Sequence, residues 1–593
     1  MSPDPATAPE RLRGGDYALL VGFCLVLCSV PLFAERTLTT HETVHCQNAR
    51  EMRADGDWII PHYGGRPWLE RPPLPFWITM GTIELLGDQP LAYRLAALLV
   101  GIPCVLLVGW MASVWFGRGA GLASGLILAT MQEFTHYATG PEADIFLCAI
   151  VTAALAVFVH LEFQRRPADN EDTYFLGRRP WVLLAFFALL GLTNLTKGLF
   201  FGDVFVLLPI AVYLLANADF AAIRRYLWLP GWLTFVVVGA AWPIAAYLRY
   251  PDVLDFWKSD YLGRVNQGYM REPFWYYFVH LPMVIFPWSL PAFYGLWATR
   301  GAALRERGSP ARLLWCWAIV PVLFFSIPQG KHHHYLLQCM APWAILGAVG
   351  AIKLWEQAKQ TTWLQAPWLS LVLLALPGDL ALVAVAWRVH VPCPAWVIAA
   401  LLVAWPVGVY AVWWAMIHRD ARVALGTLCA VFALSYWAGF LYRANYYDHY
   451  AADSAFLHEA CARVPGNQPV LVMDDDAPLN ASWLLFYVGD RATLLHNITF
   501  LADARYAAPE VYLIARAKTA RALNQFGAHE VLLQSAQSRY QTTPDDRYTL
   551  FRVRVSEGLP HRSGVRISPL QATGRAPGPF LVMNGDVRLT NLP

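Results

Sequence analysis

Charge is scarce in this sequence. Only 15% of its 593 residues are Asp, Glu, Lys or Arg, against 57% hydrophobic residues. A water-soluble chain with so few charges would lack the polar groups to cover its own surface. Repeated apolar runs explain the composition better, because a helix that crosses a bilayer needs about 20 mostly apolar residues. The net charge is +3, too small for the electrostatic footprint of a nucleic-acid partner. There are ten cysteines, without metal-ligand spacing. Cys24, Cys28, Cys104, Cys148, Cys316, Cys339 and Cys429 lie in or at the ends of apolar runs, where a thiol serves as a small hydrophobe. Cys46, Cys393 and Cys461 fall outside those runs, and spacing alone does not set a disulfide among them. Internal repeats and low-complexity tracts are absent as well.

Apolar runs and aromatic residues are what the sequence has in plenty. It carries 26 Trp and 26 Tyr, as expected where rings sit at the level of lipid headgroups. The first run, Tyr17–Phe33, follows Arg11 and Arg13; a cleaved signal peptide is the competing reading, but no small-x-small site closes the run. It is read as a retained helix. Further runs are Leu91–Phe116, Ala120–Phe134, Ile145–Phe163, Trp181–Leu195, Val204–Leu215, Leu227–Leu248, Phe274–Trp297, Leu313–Ile327, Tyr335–Leu354, Trp368–Trp387, Ala395–Ile417 and Val423–Leu441, which makes thirteen.

Loop charges test that count. With a cytoplasmic N-terminus, every second loop should be basic. Those loops carry Arg118, then Arg165, Arg166, Arg178 and Arg179, then Arg224 and Arg225, then Arg300, Arg305, Arg307 and Arg312, then Lys353 and Lys359, then Arg419 and Arg422. An odd number of spans places everything after Leu441 outside the cytoplasm. The expected fold class is a polytopic α-helical membrane protein with a small extramembrane α/β domain. Residues 1–451 form the membrane region, with a long first outer loop at 34–90, and residues 452–593 form the outer domain. In that domain Pro469–Met473, Glu510–Ile514, Glu530–Leu533 and Thr549–Val555 read as strands, and Ala481–Val488 and Ala517–Phe526 as helices. The tail from Ser556 is rich in Gly, Pro and Arg.

The first outer loop is the most informative stretch. It reads Thr40-His41-Glu42-Thr43, then Asn48-Ala49-Arg50-Glu51-Met52, then Gly56-Asp57-Trp58-Ile59-Ile60-Pro61. Gly64-Gly65-Arg66-Pro67-Trp68-Leu69-Glu70-Arg71-Pro72-Pro73-Leu74 follows, and Tyr93-Arg94-Leu95 closes it. Acids, an imidazole and arginines mixed with tryptophans and prolines suit a structured element at the membrane surface, with a short interfacial helix at His45–Met52.

This loop resembles that of the bacterial branch of the protein O-mannosyltransferase superfamily, which includes the lipid A aminoarabinose transferases. Thr193-Asn194-Leu195-Thr196-Lys197-Gly198, and Lys331 with Tyr335-Leu336-Leu337, extend the likeness. The resemblance implies a membrane glycosyltransferase of the GT-C fold in the inner membrane. Its donor would be a polyprenyl-phosphate sugar, and its acceptor a lipid, glycan or protein hydroxyl on the outer side. Two departures stand out: His41 replaces the leading Asp that is the family's presumed base, and Arg71 replaces Lys in Glu-Lys-Pro-Pro. Arginine keeps the charge and grips phosphate in a bidentate fashion.

The chemistry asks for a base to take the acceptor's proton and for cations to hold the departing phosphate. Glu42, His41 and Asp144 are the catalytic candidates. The competing role for Glu42 is a helix N-terminal acid, for His41 a headgroup-facing or capping histidine, and for Asp144 a helix cap. Arg71, Glu70, Lys197, Lys331, His334, Tyr335 and Glu142 are the substrate-binding candidates, with Arg50 and Arg264 as weaker ones. For the cations the competing role is snorkelling to the interface, and for Glu70 a surface pair with Arg71 or Arg66.

Lys331-His332-His333-His334 looks like a metal run, but adjacent histidines seldom all reach one ion. A divalent ion stays open as a cofactor. Asp474-Asp475-Asp476 reads as a solvated turn. Two rivals remain: a transporter or flippase of lipid-linked saccharides, and a catalytically silent glycan-binding relative, which His41 keeps in play. Against the transporter, the charges gather in outside loops rather than at mid-membrane.

Overall fold

The computed structural model describes residues 10–34, 36–164, 180–262, 271–358, 395–446, 451–466, 468–473, 478–495, 498, 501, 510–536 and 543–555. Arg165, Arg166, Arg178, Arg179, Arg264, Lys359, the Trp368–Trp387 run, Cys393, Asp474-Asp475-Asp476 and the tail lie outside them. In chain order the first elements are α1 (Gly14–Phe33), α2 (Thr40–Asp55), the short strands β1 (His62–Tyr63) and β2 (Arg66–Pro67), α3 (Leu74–Leu86) and α4 (Pro90–Phe116). Next come α5 (Arg118–Thr130), α6 (Gln132–Tyr137), α7 (Ala143–Phe163), α8 (Pro180–Lys197), α9 (Phe201–Asn217), α10 (Phe220–Tyr226) and α11 (Leu229–Arg249). The series continues with α12 (Val253–Leu262), α13 (Tyr276–Val284), α14 (Ser289–Arg305), α15 (Pro310–Ser326), a 3-10 turn at His333–Cys339 and α16 (Met340–Ala358). Helices Ala395–Ile417 and Ala421–Tyr446 complete the helical series before the C-terminal part.

Two compact units result: Met1–Ala34 with Arg71–Tyr446, and Glu35–Glu70 with Tyr447–Pro593. The first unit is a helical bundle. Among the described residues, seven helices are long and apolar enough to cross a membrane, or eight if the bent pair α13 and α14, at 113°, is one span. Shorter apolar helices include α3, α9 and α15. The count of thirteen is therefore not confirmed, while the polytopic helical class is. The run expected as one helix at Ala120–Phe134 is broken at Met131, whose extended backbone separates α5 from α6. Helix α3 begins right after Pro72-Pro73, where proline suits a first turn; it lies in a stretch read from sequence as loop.

Helix ends in this unit are fixed by side chains. Arg13 donates its backbone N–H to Asp16 at 2.8 Å, and Asp16 in turn accepts from Arg118 at 2.7 and 2.9 Å. At the other end of α1, the buried Arg94 of α4 donates to the carbonyls of Pro31, Leu32 and Ala34 at 3.3, 3.3 and 2.9 Å. These are the carbonyls a helix C-terminus leaves unpaired. Arg312 in α15 likewise donates to Ala303, Ala216 and Leu304 carbonyls. All seven cysteines read as small hydrophobes are buried here.

The second unit is α/β. Its sheet runs β4 (Ala492–Leu494), β3 (Val470–Val472), β5 (Glu510–Arg516), β7 (Tyr548–Val555), β6 (Gly527–Gln534). Strands β4, β3 and β5 are parallel; β7 is antiparallel to both β5 and β6. Alternation along the strands builds two cores: Val470, Val472, Tyr512, Ile514 and Leu550 face one side, and Leu471, Met473, Leu513, Phe551 and Val553 the other. Tyr63 and Trp68 of the first loop join the former core with Trp483. Residues 36–70, read from sequence as an outer loop of the membrane region, thus fold into this unit. Helix α2 is longer than the expected His45–Met52 helix and is mostly buried, packing on helix Pro478–Val488. Two further differences concern the C-terminal elements. Strand β4 lies outside the strands expected from sequence, and the expected helix Ala517–Phe526 shrinks to a 3-10 turn and one short turn, Ala520–Leu523. No disulfide joins Cys46 to Cys461.

Candidate functional site

Asp144 lies in the first turn of α7 and Lys197 is the last residue of α8. An acid at a helix N-terminus and a cation at a helix C-terminus are each favoured by the helix dipole. The two meet in an ion pair whose side chains are 8% and 5% exposed. Lys197 Nζ also stands 4.9 Å from the ring centroid of Tyr335 and 5.1 Å from that of Phe201. Those two rings meet edge to face at 5.0 Å. Gln338 Nε2 lies 3.5 Å from Asp144 Oδ1, a long contact. Arg71 and His334 are both close enough to act electrostatically on Asp144. The bundle therefore gathers five of the expected residues, Asp144, Lys197, Arg71, His334 and Tyr335, at the α7 N-terminal and α8 C-terminal ends. Glu142 is the half-buried N-cap residue of α7, with no side-chain capping bond.

Such an arrangement suits an anion. One cation is locked to a carboxylate, a second sits within its field, and the rings of Tyr335 and Phe201 stand beside the ammonium. An ammonium has three donors, so Lys197 can serve more than one acceptor.

Lys331 is placed differently. It is buried, and its Nζ donates to the carbonyls of Glu272 at 2.8 Å and Pro328 at 2.5 Å. It ties the segment after α12 to the turn before His332, next to the bridge between Arg271 and Gly330. The three histidines diverge. His333 Nδ1 lies 2.7 Å from Glu133 Oε1, His332 stacks on His334 at 5.0 Å, and His334 meets Tyr335 edge-on at 5.0 Å. Among the described residues, no group of three or more His, Cys, Asp or Glu could hold a metal ion.

The remaining candidates belong to the other unit. Thr39 and Glu42 form a capping box at the start of α2. The Glu42 carboxylate, buried, accepts from Thr39 N–H at 2.7 Å and from Arg36 Nη1 and Nη2 at 2.9 and 2.6 Å. His41, beside it, is exposed, and Glu70 is half-buried. Arg50 donates to the Phe486 carbonyl at 2.8 Å and lies 4.1 Å over the Phe486 ring.

Glu51 belongs to the Asn48–Met52 stretch of the first loop, where its sequence context gives it no role. It is buried and accepts from Gln47 at 2.6 Å and from the N–H groups of Gly64 and Gly65 at 2.8 and 2.9 Å. Burial raises its carboxyl pKa against the pull of those bonds. Both glycines have positive φ, so Glu51 organises a turn that other residues would strain. Its signal was available: an acid followed thirteen residues later by a Gly-Gly turn.

The family described as Dolichyl-phosphate-mannose-protein mannosyltransferase matches residues 70–244. The undecaprenyl phosphate-alpha-4-amino-4-deoxy-L-arabinose arabinosyl transferase of Aeromonas salmonicida is 29% identical over 377 residues, 61% of this chain and 65% of the relative. That of Aeromonas hydrophila is 30% identical over 363 residues, 59% of this chain and 62% of the relative. The chain thus aligns with just under two thirds of the length of these curated relatives. Among solved structures, ArnT from Cupriavidus metallidurans bound to undecaprenyl phosphate superposes with a TM-score of 0.71 at 21% identity, covering 91% of this chain and 98% of that one. The archaeal oligosaccharyltransferase AglB from Archaeoglobus fulgidus gives a TM-score of 0.51 at 11% identity, covering 90% and 75%. The chain has the GT-C fold of membrane glycosyltransferases. In sequence it is similar to the undecaprenyl phosphate aminoarabinose arabinosyl transferases over 59–61% of its length, the likeness that the first loop implied.

Proposed function

We propose that this chain is an inverting glycosyltransferase that moves a pentosyl sugar from a polyprenyl-phosphate donor to a hydroxyl of a lipid acceptor. The observation that carries the reading is the buried Lys197–Asp144 pair, with Arg71 in electrostatic reach and Tyr335 and Phe201 around the ammonium. The names of the relatives supply the donor class: undecaprenyl phosphate carrying aminoarabinose. In the reaction the anomeric C1–O bond to phosphate breaks, the acceptor oxygen bonds to C1 from the opposite face, and the acceptor proton goes to a base. Lys197 and Arg71 would steady the charge that builds on the phosphate. The base is sought among the residues read from sequence as catalytic, Glu42, His41 and Asp144.

This reading puts the α8 C-terminus on the extracytoplasmic side of the inner membrane, with the N-terminus cytoplasmic. Its support is the arginine set at the opposite helix ends: Arg118 at the start of α5, Arg225 in α10 and Arg312 at the start of α15.

The test uses purified full-length protein in lipid nanodiscs with undecaprenyl-phosphate-linked aminoarabinose and lipid A, product being read by mass spectrometry. Transfer by wild type, reduced roughly tenfold or more but still measurable in Lys197→Ala and Arg71→Ala variants that insert normally, supports the proposal. Donor that crosses the bilayer of proteoliposomes without any product sinks it in favour of a transporter.

A further inference from the structure

Asp203 is a buried acid that the proposed chemistry does not use. It lies in the first turn of α9 and is 4% exposed. An acid in an apolar bundle is costly to keep and, where it persists, usually has a task. Its Oδ1 accepts from the Thr193 hydroxyl at 2.8 Å, and the Asn194 side chain also acts on the carboxylate. Thr193 stands four residues before Lys197 on α8, so the two share one helix face.

The neighbouring residue closes the turn between the helices. Asn194 Oδ1 accepts from the Phe200 N–H at 2.7 Å. Only Gly198, Leu199 and Phe200 separate α8 from α9, with φ of +104° at Gly198 and +64° at Phe200. A phenylalanine in the left-handed region is strained, and the Asn194 bond holds it there. Gly202 lets the helices approach: a Cβ at that position would stand 2.4 Å from Thr193 Cβ and 2.8 Å from Leu147 Cδ1. Lys197 ends α8 and Phe201 opens α9 within this clasp, which brings the Phe201 ring to 5.1 Å from Lys197 Nζ.

We propose that Asp203 is a positioning residue for the phosphate cation: through Thr193 and the closed turn, it sets Lys197 against Asp144 and the Phe201 ring. The inference rests on the phosphate role given to Lys197 above. Asp203 itself touches neither donor nor acceptor, and what it contributes is the angle at which α8 delivers the ammonium.

The experiment compares wild type with Lys197→Ala, Asp203→Ala, Asp203→Asn, Thr193→Val and the Lys197→Ala/Asp203→Ala double variant. All are full-length in nanodiscs, and KM and kcat are measured for undecaprenyl-phosphate-linked aminoarabinose. Asp203→Ala is expected to raise donor KM roughly tenfold or more. Asp203→Asn keeps an acceptor at Oδ1 and should return KM to about twofold of wild type, and Thr193→Val should resemble Asp203→Ala. The double variant should be no worse than Lys197→Ala alone, because a residue acting only through Lys197 has nothing left to position. A wild-type KM in both Asp203→Ala and Thr193→Val, or losses that add in the double variant, overturns the inference. If Asp203→Ala does not accumulate, Thr193→Val decides by the same criteria. An unchanged KM in Lys197→Ala instead overturns the phosphate-site reading itself, a result distinct from failure at Asp203.

Discussion

Arg36 and Glu42 face each other fork to fork, Nη2 to Oε1 at 2.6 Å and Nη1 to Oε2 at 2.9 Å, with side chains 10% and 4% exposed. The pair sits at the start of α2, so the acid is at once a helix cap and half of an ion pair. Removing one partner of a buried pair costs roughly 3–5 kcal/mol. Glu42→Gln should therefore lower the thermal unfolding midpoint of the detergent-solubilised protein as well as its activity. An Arg36→Met/Glu42→Gln double variant should regain part of the lost stability without regaining activity. If Glu42→Gln is inactive at wild-type stability, the carboxylate works mainly on substrate.

The Lys197–Asp144 pair permits the same separation in the bundle. Asp144→Asn alone leaves a buried ammonium without its counter-ion, at a cost of about 3–5 kcal/mol. Lys197→Met/Asp144→Asn should unfold close to wild type and still fail to transfer sugar. Thermal unfolding by tryptophan fluorescence, read beside product formation, checks this. A double variant as unstable as Asp144→Asn would mean that packing, not charge, dominates here.

His45 supplies a dependence on pH. It is buried in α2, and burial pushes its pKa down from 6.5 to about 3. Unfolded, the imidazole binds a proton below pH ~6.5, while folded it stays neutral until pH ~3, so the unfolded state takes up more protons in that window. Stability from this group is full above pH ~6.5 and is lost as pH falls toward 3, by about 2 kcal/mol at pH 5. Unfolding midpoints measured at pH 7 and pH 5 should show the loss, and His45→Gln should flatten it. An equal slope in the variant would assign the effect to other groups.

Helices α14 and α16 cross at backbone distance. A Cβ at Gly350 would stand 1.9 Å from the Pro291 carbonyl oxygen, and one at Gly295 the same distance from that of Leu346. Neither neighbour is a side chain that could turn aside. Gly350→Ala is expected to force the helices apart and to cost more than about 3 kcal/mol, the upper range for overpacking. Membrane yield and monodispersity in detergent report it, and wild-type behaviour of Gly350→Ala would show that the crossing is looser than described.

Much of the membrane unit was legible because helix length and apolar content are written in consecutive residues. Most expected runs correspond to helices, and the motif residues Asp144, Lys197 and Tyr335, far apart in sequence, do meet. What was hidden depends on distant partners. Lys331 reads as a loop cation beside a histidine run, yet its ammonium serves two carbonyls, one of them 59 residues away. Glu42 reads as a base, and only the position of Arg36 shows how fully its oxygens are occupied. Residues 36–70 read as a surface loop, since nothing local announces that Tyr63 and Trp68 share a core with Trp483. Strand β4 is three residues long, below what alternation can signal. Asp203 directly precedes the Val204–Leu215 run, and nothing local announces its bond to Thr193 on the preceding helix.

Arg94 carries a consequence for how the chain can be altered. Its guanidinium holds the carbonyls of Pro31, Leu32 and Ala34, so the point where the chain leaves α1 is pinned to the point where it re-enters as α4. The intervening stretch, residues 35–89, is a closed excursion whose two feet are set by one side chain. Once a loop's ends are fixed, added length costs little. Residues inserted at its exposed turn at Gly56 would therefore leave both feet in place, whereas exchanging the whole stretch would strip Tyr63 and Trp68 from the core they share with Trp483.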